Sequence, residues 1–132
     1  MFAGRISAVV VALCLPISAM ADAVTDVIDD QLGAFAAGDV ARAWSHASPM
    51  IQDMFGSPRN FEMMVRNGYG VIWDNRGATF SDRIQQDGRL RQTVVIQGES
   101  GDVQAFEYDM IETDAGWKIN GVRPVEMPDF AV

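Results

Sequence analysis

The sequence predicts an α+β fold, with N-terminal helices packed on one face of a four-stranded antiparallel sheet. Three observations carry that expectation. Apolar residues recur at spacings of three and four from Val24 to Val65. From Phe80 onward the apolar period becomes two, as in half-buried strands. Gly, Asp and Asn cluster where one periodic segment should end and the next begin.

The first helix is expected from about Ala23 to Ala37. Val24, Val27, Ile28, Gln31, Leu32 and Phe35 form its stripe, Asp29 and Asp30 fall off it, and Gly38 stops it. Asp39 can cap a second helix whose apolar line is Val40, Ala43, Trp44 and Ala47. Two Ser-Pro pairs follow. A serine at the cap and a proline in the first turn is a start signal, because the proline ring forbids the preceding helix from running through. Ser48-Pro49 thus opens a helix with Met50, Ile51, Met54 and Phe55, closed by Gly56. Ser57-Pro58 opens another with Phe61, Met64 and Val65, closed by Asn67-Gly68.

Tyr69 to Gly77 reads as a bend. In the first strand Phe80, Asp82, Ile84 and Gln86 should share a face, and in the second Leu90, Gln92, Val94 and Ile96. A three-residue loop at Gln86-Asp87-Gly88 would set Ile84 opposite Leu90, Asp82 opposite Gln92 and Phe80 opposite Val94. Gly98 to Gly101 makes the next turn. Val103 to Glu112 and Trp117 to Val125 are the third and fourth strands, and the loop Asp114-Ala115-Gly116 would set Glu112 opposite Lys118. These two strands look apolar on both faces, with Phe106, Tyr108 and Met110 on one and Ile111 and Ile119 on the other. One face meets the helices. The other is covered either by a second subunit or by sheet curvature and the C-terminal tail.

Residues 1–21 read as a cleaved secretory signal peptide. Arg5 supplies its positive start, Ile6 to Leu15 its apolar run, and Ala19-Met20-Ala21 its cleavage pattern. The run is too short to span a bilayer, which takes about 20 residues. Residues 22–132 remain as one domain, expected to be periplasmic or secreted and to keep no stable membrane anchor. The single cysteine, Cys14, lies inside the leader, preceded by a leucine rather than the small residue of a lipidation site. The exported chain would therefore hold no disulfide and must rest on a packed core.

The formal net charge is −8, and one unit more negative without Arg5. An acidic surface repels nucleic acid and anionic lipid, so no nucleic-acid partner is expected. One histidine cannot assemble a zinc site, and no calcium-loop spacing occurs. The glycines of "NGYGVIWDNRG" match no nucleotide fingerprint, so neither a metal nor a cofactor is expected.

The segment "AFAAGDVARAW" resembles the helix-Gly-Asp-helix junction of nuclear-transport-factor-two-like (SnoaL-like) domains, and "DAGWKINGV" resembles their Asp-x-Gly-Trp-x-Ile strand. Between them, "ASPMIQDMFGSPRNFEMMVRNGY" is similar to the central signature of a family of small exported proteobacterial proteins catalogued only as a domain of unknown function. The resemblance implies a cone: a curved cystatin-like sheet around helices, often dimeric, often with a pocket in the mouth. It implies no activity, since relatives range from isomerases, dehydratases and cyclases to domains without chemistry.

Little catalytic equipment is visible. His46 could serve as a general base, or could sit at the corner before Ser48 with its ring bonded to backbone. Arg42, one turn earlier, should share its face and oppose protonation. Asp82, between Phe80 and Ile84, would be a pocket base if it faces the core; otherwise it lies past the core edge or bonds to Gln92. Glu107 and Asp109 are either an acid–base pair or a solvated stripe. Met54, Met63 and Met64 either line an adaptable pocket or fill core. The residues expected to line a cone pocket are Trp44, Met54, Phe55, Tyr69 and Tyr108. Three functions follow in order: non-enzymatic binding of a small apolar ligand or a protein partner; an isomerase- or dehydratase-type pocket enzyme using Asp82, helped by Tyr69 or Tyr108; and a structural module that forms a homodimer through its sheet.

Overall fold

A computed structural model describes residues 18–129. The helices are α1 (Ser18–Ala36), α2 (Val40–Ser45), α3 (Pro49–Phe55), α4 (Pro58–Gly68) and α5 (Gly70–Trp73). The strands are β1 (Asn75–Gln86), β2 (Arg89–Gly98), β3 (Val103–Thr113) and β4 (Gly116–Val125). The sheet is an antiparallel meander in the order β1-β2-β3-β4. This is the α+β class read from the periodicity. The expected leader falls outside the described residues, except that α1 starts at Ser18, ahead of the expected Ala23.

Helix starts follow their caps. The Asp39 carboxylate accepts from the Arg42 amide at 3.2 Å. Ser48 Oγ accepts from the Ile51 amide and Ser57 Oγ from the Asn60 amide, each at 3.2 Å. Each bond satisfies an amide that has no partner inside the helix. The expected bend from Tyr69 to Gly77 instead holds the one-turn α5 and the first residues of β1. Buried Asn75 explains the early strand start: its Nδ2 donates to the carbonyls of Leu32 and Ile72, each at 2.8 Å.

The core lies between α1 and the inner sheet face. Val24, Ile28 and Leu32 of α1 join Leu90, Val94 and Ile96 of β2 and Phe106 and Met110 of β3, all at 2 % exposure or less. Burying each such side chain contributes about 1.5–3 kcal/mol. The corner after α2 is tied to β4. The Ser48 amide donates to the Ile119 carbonyl and the Ile119 amide to the His46 carbonyl, both at 2.8 Å, so Ala47 forms a parallel bridge with Ile119.

The hairpin registers differ from expectation. The β1–β2 loop has two residues, Asp87 and Gly88, both at positive φ (55° and 75°). Such a loop matches the twist of its strands better than the three-residue one. It sets Gln86 against Arg89 and Ile84 against Arg91 on the outer face. A bulge between Phe80 and Arg83 takes up one residue, which restores the expected pair Phe80 and Val94. In β3–β4, Glu112 faces Trp117, while Lys118 faces Ile111 and donates to the Ser45 carbonyl at 2.8 Å; the expected Glu112–Lys118 pair does not form. A second bulge passes over Asn120. Ile119 pairs with Met110 and is buried in the core, so the outer face of β4 is less apolar than expected.

Candidate functional site

The short helix α3 roofs a cavity. Its two ends are set locally: Ser48 caps the start, and Gly56, at φ 79°, turns the chain away in a left-handed conformation that disfavours a side chain. Met50 with Met54, and Ile51 with Phe55, are one turn apart and so face the same way. All four line the cavity, yet no residue of α3 is buried. Met50 and Met54 are 51 % and 64 % exposed.

The cavity encloses about 480 Å³. Phe35 of α1 and Phe61, Met64 and Val65 of α4 make its sides, and Tyr108, Ile119 and Val122 its floor. The β4 bulge places Asn120 at this floor, where its Oδ1 accepts from Ser48 Oγ at 2.8 Å. The Ser48 hydroxyl thus caps α3 and anchors it to the sheet. The polar lining is neutral. Gln31 donates to the Ala43 carbonyl at 3.1 Å, and Tyr69 Oη donates to the Val122 carbonyl at 3.1 Å. Tyr108 is fully buried, and its hydroxyl has no hydrogen-bond partner among the described residues. Burial, with Tyr69 nearby, pushes the Tyr108 phenol well above its usual pKa, so it stays protonated. Among the described residues, no Asp, Glu, Lys, Arg or His lines the cavity.

Of the residues expected to line a pocket, Met54, Phe55, Tyr69 and Tyr108 do. Trp44 does not; it packs edge-on against the lining residue Phe61, centroids 5.5 Å apart. Of the methionine group, Met54 and Met64 line the cavity, while Met63 stands 51 % exposed beside it. Met50, Ile51 and Asn120 were not among the expected lining residues. The four-residue spacing of the α3 apolar pairs was the signal for the first two, but Asn120 depends on a bulge that the strand's alternation conceals.

The candidate acid–base residues lie elsewhere. Asp82 is exposed on the β1 bulge. Buried Gln92 fills that bulge: its Nε2 donates to the carbonyls of Ser81 at 3.0 Å and Asp82 at 3.3 Å, and its Oε1 accepts from Arg83 at 2.7 Å. Gln92 therefore bonds the backbone of Asp82, and the carboxylate points away from any cavity chemistry. His46 caps the end of α2, where its Nε2 lies 2.6 Å from the Asp30 carboxylate. Asp30 also accepts from Arg42, so a shared anion stands between the two bases expected to repel each other. The Arg42 guanidinium, then the His46 ring, hold the Asp30 carboxyl well below its usual pKa. On the outer sheet face Glu107 accepts from Arg123 at 2.8 Å and 3.0 Å, and Arg91 stands 3.9 Å away. Glu107 is thus paired with arginines on this face, while one Asp109 carboxylate oxygen is buried without a hydrogen-bond partner among the described residues.

Comparison with known proteins agrees with this architecture. The model of the family described as "Domain of unknown function (DUF4864)" matches residues 18–132. The fold is similar to that of a Campylobacter jejuni protein whose crystal structure is described as an NTF2-like transpeptidase. That likeness has a TM-score of 0.53 at 12 % identity and covers 74 % of this chain and 96 % of the other, so it speaks to fold alone. No curated protein matches the chain.

Proposed function

The chain belongs to the family described as Domain of unknown function (DUF4864), and within it we propose that the cavity beneath α3 is a non-enzymatic binding site for a small apolar ligand. One observation carries the reading: a cavity of about 480 Å³ with apolar walls and, among the described residues, no charged side chain in its lining. Sites for small organic ligands fall at roughly 300–1,000 Å³ with this kind of lining. The exposed methionines of α3 suit adaptable apolar contact, since an unbranched thioether reshapes to its partner. An acid–base enzyme would want a carboxylate or imidazole in the cavity, and Asp82 and His46 lie outside it. Export of the chain through cleavage after Ala21 is part of the same proposal, and N-terminal sequencing of the cellular protein checks it.

The test is titration with Nile red, a neutral apolar dye whose emission rises on leaving water. The expected result is saturable binding that Ile51→Trp weakens at least tenfold by filling the cavity. Absence of saturable binding, or equal binding by the filled variant, overturns the reading.

A further inference from the structure

Among the described residues, each polar side chain in the cavity lining but one makes a hydrogen bond within the chain. Gln31 donates to Ala43, Asn120 accepts from Ser48, and Tyr69 donates to Val122. The exception is Tyr108 of the floor, whose hydroxyl is buried and has no partner among the described residues. A buried hydroxyl without a partner is costly, and native structures keep few of them. Replacing Tyr by Phe would remove that cost, so the hydroxyl calls for an explanation.

We propose, resting on the binding reading above, that the cavity takes an uncharged ligand bearing a hydrogen-bond acceptor at its inner end, and that the Tyr108 hydroxyl donates to that acceptor. A ketone, ester, amide or alcohol oxygen on an apolar body fits this chemistry. A carboxylate or a phosphate does not. It would enter a site without a cation, and losing hydration there costs more than one neutral hydroxyl returns. An amine is excluded in the same way, because the lining holds no carboxylate. The hydroxyl has almost no exposed surface. The ligand must therefore displace side chains of the wall, and α3 is the wall free to yield, having no buried residue of its own.

The experiment compares three probes of one shape: acetylnaphthalene, its apolar isostere isopropenylnaphthalene, and the naphthoate anion. Each is titrated into the protein and into Tyr108→Phe by heat or fluorescence. Acetylnaphthalene is expected to bind the native protein roughly tenfold more tightly than the variant, the scale of one buried hydrogen bond. Isopropenylnaphthalene should bind both alike, and naphthoate should bind most weakly at pH 8. Tyr108→Phe without ligand should melt at a higher temperature than the native protein. If the ketone binds native and variant protein equally, the hydrogen-bond assignment is overturned while apolar binding stands. If naphthoate binds most tightly, the uncharged-ligand assignment is overturned. If no probe binds, the binding reading fails and this inference with it. The probe ranking in the native protein decides the charge question even if the variant fails to fold.

Discussion

The two walls of the cavity are built differently. The back wall, α1 with the sheet, is backed by a closed core: Val24, Ile28, Val94, Ile96, Tyr108 and Met110 have no exposed surface, and of these Tyr108 reaches the cavity lining. The front wall, α3, has nothing buried and shows two methionines to solvent. Both come from similarly apolar stretches of sequence, so hydrophobicity does not separate them. The difference is what each one packs on. Helix α1 lies against the sheet through a continuous stripe. Helix α3 faces a void and is held by few contacts: Ser48 at its start, Gln52 Nε2 donating to the Trp44 carbonyl at 2.9 Å, and Phe55 against Phe61. A rigid wall opposite a loosely held one is the arrangement expected of a ligand site, because opening is drawn from the less stable elements.

The largest expected effect breaks the back wall. Ile28→Ala should cost about 2–5 kcal/mol, while Met54→Ala should stay within about 0.5 kcal/mol. Denaturant midpoints measure both. Equal losses at the two positions would erase the distinction between the walls. Gln92→Leu comes next: it keeps the volume but leaves the Ser81 and Asp82 carbonyls without their buried donor, at about 1–3 kcal/mol. A neutral result would mean that the bulge needs no plug.

These two predictions also mark where the sequence was legible. The helix starts could be read because a Ser-Pro pair and its capped amide lie within three residues of each other. The strand periods could be read because burial on one face enforces alternation. The register could not. It turns on the Asp87-Gly88 loop and on a bulge held by Gln92, which sits ten and eleven residues from its carbonyl partners and looks in sequence like an ordinary strand glutamine. Asp82 was misleading for that reason: simple alternation points it inward, and the extra residue turns it to solvent. Among the cavity residues, Tyr108 could be picked out as a polar-tipped aromatic in an apolar strand, whereas Asn120 enters only through the β4 bulge.

A smaller effect sharpens the contrast at the hinge. Gly56→Ala forces a side chain into the left-handed region at φ 79°, at a cost of about 1–2 kcal/mol. Nothing lies within 4 Å of the added carbon, so the cost is conformational rather than steric. Amide exchange should quicken across α3 and the start of α4 and stay unchanged in α1 and the central strands. Faster exchange in α1 would show that the two walls move together.

The smallest effect concerns the place where the walls are joined. Asp30, on the solvent side of α1, accepts from Arg42 and lies against His46, and so ties α1 to the corner that leads into α3. Its carboxyl is held below the usual value, first by Arg42 and then by His46. The folded chain therefore binds this proton less readily than the unfolded chain does. The stabilisation is fully present above the ordinary carboxyl pKa of about 3.9 and is lost as pH falls below it. Because 38 % of the side chain is exposed, solvent screening keeps the gain small. Asp30→Asn should lower the melting temperature slightly at pH 7, and the gap from the native protein should narrow as pH falls from about 4. Adding salt should narrow it as well. A gap that holds constant through the acid range would mean that the carboxylate's charge plays no part in fixing the corner, leaving Ser48 and the Ile119 bridge to hold α3 in place.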